Sequence, residues 1–175
     1  MQERSTELLE KVLKSYESYF DVTRDSEYEG LSVAAEAAFH SRSEKYVLVK
    51  KAQLWAAEAH EYAFFVMAEH LDEKTLNTYR DVILKEGLSR VKPVKDHMYT
   101  YVTMIIIADE TDDGIEKAVK KIRHHKDYML SFHGWSDFRV AVYDTKAESV
   151  ITNRAGSDLE KMFASVTDKK RRAKR

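Results

Sequence analysis

Apolar residues recur along the chain in two alternating rhythms. Near the start, Leu9, Val12, Leu13, Tyr16, Tyr19 and Phe20 are spaced by three and four, which predicts an amphipathic helix over about residues 5–20. "RDSEYEG" (24–30) reads as a polar break. Three strands are then predicted, at about 33–42, 45–59 and 61–69. The last contains Phe64, Phe65, Val66 and Met67 in succession, as expected of a strand covered on both faces. Asp72 is placed as the N-cap of a helix through Leu76, Tyr79 and Ile83, with Gly87 as its C-cap.

"MYTYVTMIIIADE" (98–110) is the plainest strand, a run of β-branched and aromatic residues closed by acids. Ile115, Ala118, Val119 and Ile122 predict a helix opened by the pair Asp113 and Glu116. "YMLSFHGW", then "FRVAV" and "SVIT" on either side of the turn "DTKAE", read as three strands. Ser157 and Glu160 form an S-x-x-E signature before a last helix carrying Leu159, Met162, Phe163 and Val166. The order is α-βββ-α-β-α-βββ-α. It predicts an α+β (mixed α/β) single domain with a central mixed sheet.

Composition bounds this picture. A chain of 175 residues can bury roughly 70% of its unfolded surface in one core. The expected domain covers residues 1–168, and 169–175 are expected to form a disordered basic tail. Lys169, Lys170, Arg171, Arg172, Lys174 and Arg175 supply six positive charges there, and the rest of the chain carries a net −7. An acidic body does not favour broad phosphate-tracking contacts, so nucleic acid is suggested only by the tail. The sequence has no cysteine, which excludes disulfides, thiolate catalysis and Cys-ligated metals. No apolar run approaches the length of a bilayer span, and the start lacks the apolar core of a secretory signal. A cytoplasmic protein without a membrane partner is the expectation.

Candidate chemistry is sparse. In "AEAHEYAFFVMAEH" (57–70), His60 and His70 are ten residues apart. That is about 33 Å along a strand, too far for one metal ion with ligands near 2 Å. No histidine spacing matches H-E-x-x-H, and no metal or other cofactor is expected. "DETDDGIEK" (109–117) imitates a calcium loop, but Lys120 falls where a bidentate Glu is needed. Phosphate-cradling glycine loops and the G-x-S-x-G elbow are absent.

The element order over residues 5–107 resembles that of restriction-endonuclease-like nucleases. Their chemistry needs an acid on one strand and an acid-x-Lys on the next, to hold Mg²⁺ and steady the attacking water. Glu44, Glu58 and His60 are the nearest fit, with histidine where lysine should stand. Asp144-Thr145-Lys146 has the right spelling but falls in a predicted turn.

Two surfaces could bind a ligand or partner. "SRSEKYVLVKK" offers Arg42, Lys45, Lys50 and Lys51, and "FHGW" sets His133 and Trp135 on one face beside Gly134.

The stretches "FHSRSEKYVLVKKA", "HMYTYVT" and "TNRAG" resemble a family of small bacterial proteins of unknown function, over about residues 15–165. That resemblance implies a bacterial, cytoplasmic protein and carries over no activity or site residue. The reading that best fits the sequence is a non-enzymatic binding or protein-interaction module whose partner is unknown. The rival is a divalent-metal-dependent hydrolase, a nuclease in active or degenerate form, with Glu44, Glu58 and His60 as catalytic residues.

Overall fold

The computed structural model describes residues 2–47 and 52–167, and the side chains of residues 3–41 and 58–167. Its elements are α1 (Gln2–Tyr16), β1 (Asp21–Tyr28), β2 (Leu31–Val47), β3 (Ala52–Leu71), α2 (Glu73–Ser89) and β4 (His97–Thr111). They continue with α3 (Ile115–Lys121), β5 (His125–Asp127), β6 (Trp135–Asp144), β7 (Ser149–Thr152) and α4 (Leu159–Val166). A 3₁₀ turn, Arg154–Gly156, precedes α4. The element order is the one read from the sequence, and the domain is α+β around a mixed sheet.

The sheet runs β1-β2-β3-β4-β6-β5, with β7 also on β6. β2 is antiparallel to both β1 and β3, while β3, β4 and β6 are mutually parallel. These parallel strands are buried on both faces, which explains their near-continuous apolar runs. Phe64, Val66, Met104, Ile106, Val140 and Val142 point to the side of α2 and α3 and pack with Leu76, Ile83, Ile115 and Val119. Their neighbours Phe65, Ile105, Ile107 and Ala141 point the other way, to Leu9, Leu13, Leu159 and Phe163 of α1 and α4. The result is a three-layer α/β/α sandwich, with period-two alternation dividing each strand between two cores.

Several boundaries differ from the sequence reading. The polar break 24–30 is a strand: β1 is a mostly exposed sheet edge and needs no apolar alternation. It turns into β2 through Glu29 and Gly30, both at positive φ, as a tight two-residue hairpin requires. The three strands expected at 33–42, 45–59 and 61–69 are two long ones, β2 and β3. Gly87 lies inside α2, where Arg90 is the C-cap. A Cβ on Gly87 would come within 2.2 Å of a Val102 methyl, so the residue permits close helix–sheet contact. Asp72 does cap α2, accepting from the Thr75 amide. The caps of α3 and α4 are Gly114 and Asp158, neither with a side-chain bond to its helix's amides, and Glu160 instead accepts from Thr152.

Candidate functional site

Of the side chains singled out from the sequence, Glu58, His60, His133 and Trp135 lie within the described residues, near where β4 and β6 begin. His97 opens β4 and is buried. Its Nδ1 lies 2.6 Å from the His133 carbonyl oxygen and its Nε2 lies 2.8 Å from Thr100 Oγ1. A carbonyl only accepts, so Nδ1 carries the proton and Nε2 accepts from the threonine hydroxyl. The His133 ring is held in the same way, with Nδ1 donating to the Pro93 carbonyl at 2.8 Å.

Two further histidines extend this row across the sheet. The His60 ring stacks on His97 at 6.1 Å, the two planes almost parallel, and His60 Nδ1 meets His40 Nδ1 at 2.8 Å. His40 and His60 are register partners in the β2–β3 pair. Burial, then the neighbouring His40 and His97, hold the His60 pKa below its ordinary value, against the opposite pull of Glu58.

The rival catalytic set is only partly in view. Glu58 Oε2 lies 3.8 Å from His60 Nε2. This is the far side of the ring from the nitrogen that faces His40, so His40 and Glu58 do not converge on one point. The β2–β3 register sets Glu44 opposite Ala56 and Arg42 opposite Glu58. The side chains of Arg42, Glu44 and Lys45, all of Lys50 and Lys51, and the tail 169–175 lie outside the described residues. Among the described residues, no group of three or more His, Cys, Asp or Glu is arranged to hold a metal ion.

"YMLSFHGW" is not a strand as expected. Residues 128–134 form a protruding loop between β5 and β6, and only Trp135 joins a strand. Met129, Leu130 and Ser131 all take left-handed backbone angles (φ 50°, 53° and 68°), followed by Gly134 at 70°. Each such non-glycine residue costs about 1–2 kcal/mol, and this breaks the extended run that composition favours. The loop is closed by amide–carbonyl bonds from Tyr128 to Gly134, His133 to Tyr128, Phe132 to Met129 and Gly134 to Ser131. Ser131 Oγ also donates to Asp127, and the Tyr128 hydroxyl meets Ser136 Oγ.

The loop turns its large apolar side chains outward: Met129 is 69% exposed, Leu130 90% and Phe132 81%. Against its base lies the 93–98 segment, bonded through His133 to Pro93 and pressed on Gly134 by the Met98 carbonyl. That segment adds the exposed Val94 and Met98. Within this arrangement His133 ties the loop to Pro93, and Trp135 stacks on Tyr99 at 5.7 Å.

Two ion clusters escaped the sequence reading. Arg139, buried in β6, donates to Glu61 (2.9 Å) and Asp158 (2.6 Å) and lies over the Tyr101 ring. Arg90 donates to Glu36, Glu86 and the Tyr28 hydroxyl. For both arginines burial opposes the charge, but the carboxylates outweigh it and the pKa is raised. The visible cue was an arginine inside "FRVAV", where an unpaired charge would be prohibitive. Both clusters tie helices to the sheet, Arg139 through Asp158 at the start of α4 and Arg90, at the end of α2, through Glu36 of β2.

No described helix is long and apolar enough to cross a membrane. A family model described as "Domain of unknown function (DUF8052)" matches residues 4–165. No curated protein and no solved structure matches the chain.

Proposed function

We propose that this chain, which belongs to the DUF8052 family of domains of unknown function, is a protein-interaction module that docks through the loop at residues 128–134. One observation carries the reading: a strained, internally bonded turn holds Met129, Leu130 and Phe132 out in solvent. Burying three such side chains would stabilise a chain by several kcal/mol, about 1.5–3 each. A fold that spends left-handed backbone energy to expose them is arranged for something other than its own stability.

Aromatic and methionine side chains are the enriched types at the centres of protein interfaces. Pre-ordering the loop removes part of the entropy cost of association. The partner is a protein with an apolar pocket that receives Phe132 and Leu130, while Val94 and Met98 close the rim. Lys95 beside Asp96 and Lys126 beside Asp127 give the patch flanks of mixed sign, not the basic cluster that an anionic lipid surface selects. His97 and His133 serve this reading as anchors, since each commits its Nδ1 proton to a carbonyl beneath the loop. A cytoplasmic setting in a bacterial cell accords with the cysteine-free composition.

The test is photocrosslinking in cells from a reactive residue at position 130, against one at Lys117 on α3. A discrete protein adduct from position 130 alone, lost with Phe132→Ser, is expected. Identical adducts from both positions, or none from position 130, would remove the loop from consideration.

A second reading, the divalent-metal-dependent hydrolase, draws support from the approach of Glu58 to His60. It predicts a rise of several degrees in Tm with Mg²⁺, Mn²⁺ or Zn²⁺, abolished by Glu58→Ala. A flat response to all three ions would dispose of it.

A further inference from the structure

At the other end of β5 from the apolar loop, the segment after α3 and the 3₁₀ turn before α4 line an open cavity of about 430 Å³. It is lined by Ile122, Arg123, His124, His125, Asp137, Asn153, Arg154 and Ala155. Three features distinguish it. His124 Nε2 is buried and has no hydrogen-bond partner, the one side-chain nitrogen or oxygen in that state among the described residues. Arg123 and Arg154, both exposed, have no hydrogen bond or ion pair among the described residues. The only carboxylate in the lining, Asp137, is already engaged by His125 Nδ1 at 2.6 Å.

An orphaned buried nitrogen costs about 1–3 kcal/mol, and natural structures rarely leave one without a partner supplied from elsewhere. Two arginines from separate segments line one cavity with that histidine, and with the local acid spoken for they call for an oxyanion. Guanidinium forks match the tetrahedral oxygens of phosphate. Ile122 and Ala155 supply an apolar wall for an attached organic group.

We infer that this cavity binds a phosphorylated small molecule, with the phosphate held by Arg123 and Arg154 close to the His124 ring. The remaining amide, Asn153, is not a ligand. Its Oδ1 accepts from the Val140 and Gly156 amides and its Nδ2 donates to the Ile122 and Phe138 carbonyls, so it shapes the cavity instead. Burial, then Lys126, hold the His124 pKa below its usual value, with a smaller contribution from His125 and an opposing one from Asp137. A bound anion must act in the opposite sense, which gives a signature at a single residue.

The experiment follows the His124 ring signals by NMR while inorganic phosphate, then glycerol 3-phosphate, is added at constant ionic strength. Saturable shifts at His124 are expected, with the midpoint of its pH titration displaced upward. Arg123→Gln and Arg154→Gln, both surface substitutions with unchanged Tm, should each weaken binding about tenfold, the loss of roughly one charge-assisted contact. Equal shifts with chloride, or saturation that survives both substitutions, would overturn the assignment. This site is independent of the docking loop: Phe132→Ser should leave the phosphate titration unchanged.

Discussion

His40 Nδ1 and His60 Nδ1 face each other at 2.8 Å across β2 and β3, so one ring donates to the other and both cannot be protonated there at once. The His60 pKa lies below 6.5 in the folded chain, through burial and then the proximity of His40 and His97. The unfolded chain therefore takes up the proton first. Stability attached to His60 is complete above about pH 6.5 and is lost as pH falls through the depressed folded value. His124 acts in the same direction, whereas His125, raised chiefly by its bond to Asp137, acts in the opposite one. His60→Gln should make the fall in Tm between about pH 7 and 5 shallower than in the parent chain. Superimposable slopes would show that the pair is not proton-linked to folding.

Gly134 and Gly30 both have positive φ, 70° and 80°, yet they should respond differently to alanine. A Cβ at Gly30 meets nothing within 4 Å, whereas one at Gly134 would lie 2.2 Å from the Met98 carbonyl oxygen. Gly30→Ala should cost only the left-handed backbone term, about 1–2 kcal/mol. Gly134→Ala adds a clash with rigid backbone and should cost at least about 3 kcal/mol in urea unfolding. It should also detach the loop from His97, which would appear as loss of the His97–His133 bond in the imidazole NMR signals. Equal costs at the two positions would contradict the close packing of the 93–98 segment.

Legibility followed burial. Phe64, Ile105 and Val140 lie in strands covered on both faces, and their runs announced them. The order of helices and strands followed from such segments. β1 was illegible because an exposed edge strand such as Asp21–Tyr28 has no core face to pattern its residues. The loop was misread because "YMLSF" has strand composition, and only the left-handed angles at three residues reveal the turn. Neither the pairing of His40 with His60 nor that of Arg139 with Glu61 is local in sequence, so each depends on strand register. "TNRAG", by contrast, was marked by resemblance alone, and the structure supplies its physical reason in Asn153.

Asn153 uses its full amide capacity: two backbone amides donate to Oδ1 and two backbone carbonyls receive from Nδ2, at 2.9–3.2 Å. Asn153→Ala takes this partner from the Val140 amide and the Ile122 and Phe138 carbonyls in a buried place, while the Gly156 amide keeps its bond to the backbone carbonyl of residue 153. Even partial rehydration should leave a loss of about 3–5 kcal/mol. Asn153→Asp keeps the acceptor but turns a carboxylate oxygen toward the Ile122 and Phe138 carbonyls, so it should be no milder near neutral pH and should recover partly in acid. Urea midpoints of the two variants at pH 7 and 5 check this. Tolerance of Asp at pH 7 would mean that the Nδ2 bonds contribute little.

The Arg139–Glu61 pair offers the sharpest energetic test, because both side chains are nearly buried, at 7% and 14% exposure. Glu61 also accepts from the Thr103 hydroxyl, and Arg139 reaches on to Asp158 ahead of α4. Removing only the cation strands a desolvated carboxylate, so Arg139→Met should cost about 3–5 kcal/mol. Glu61→Gln strands less, because the amide oxygen still accepts from Thr103 and Asp158 still neutralises the guanidinium. Its cost should be smaller, about 1–2 kcal/mol. With both changes no uncompensated buried charge remains at the pair, and the double variant should be more stable than the sum of the single losses predicts. A coupling of about 1–3 kcal/mol is expected from a double-mutant cycle in urea. Additive losses would mean that water reaches the pair and that Arg139 contributes through its packing on Tyr101 instead.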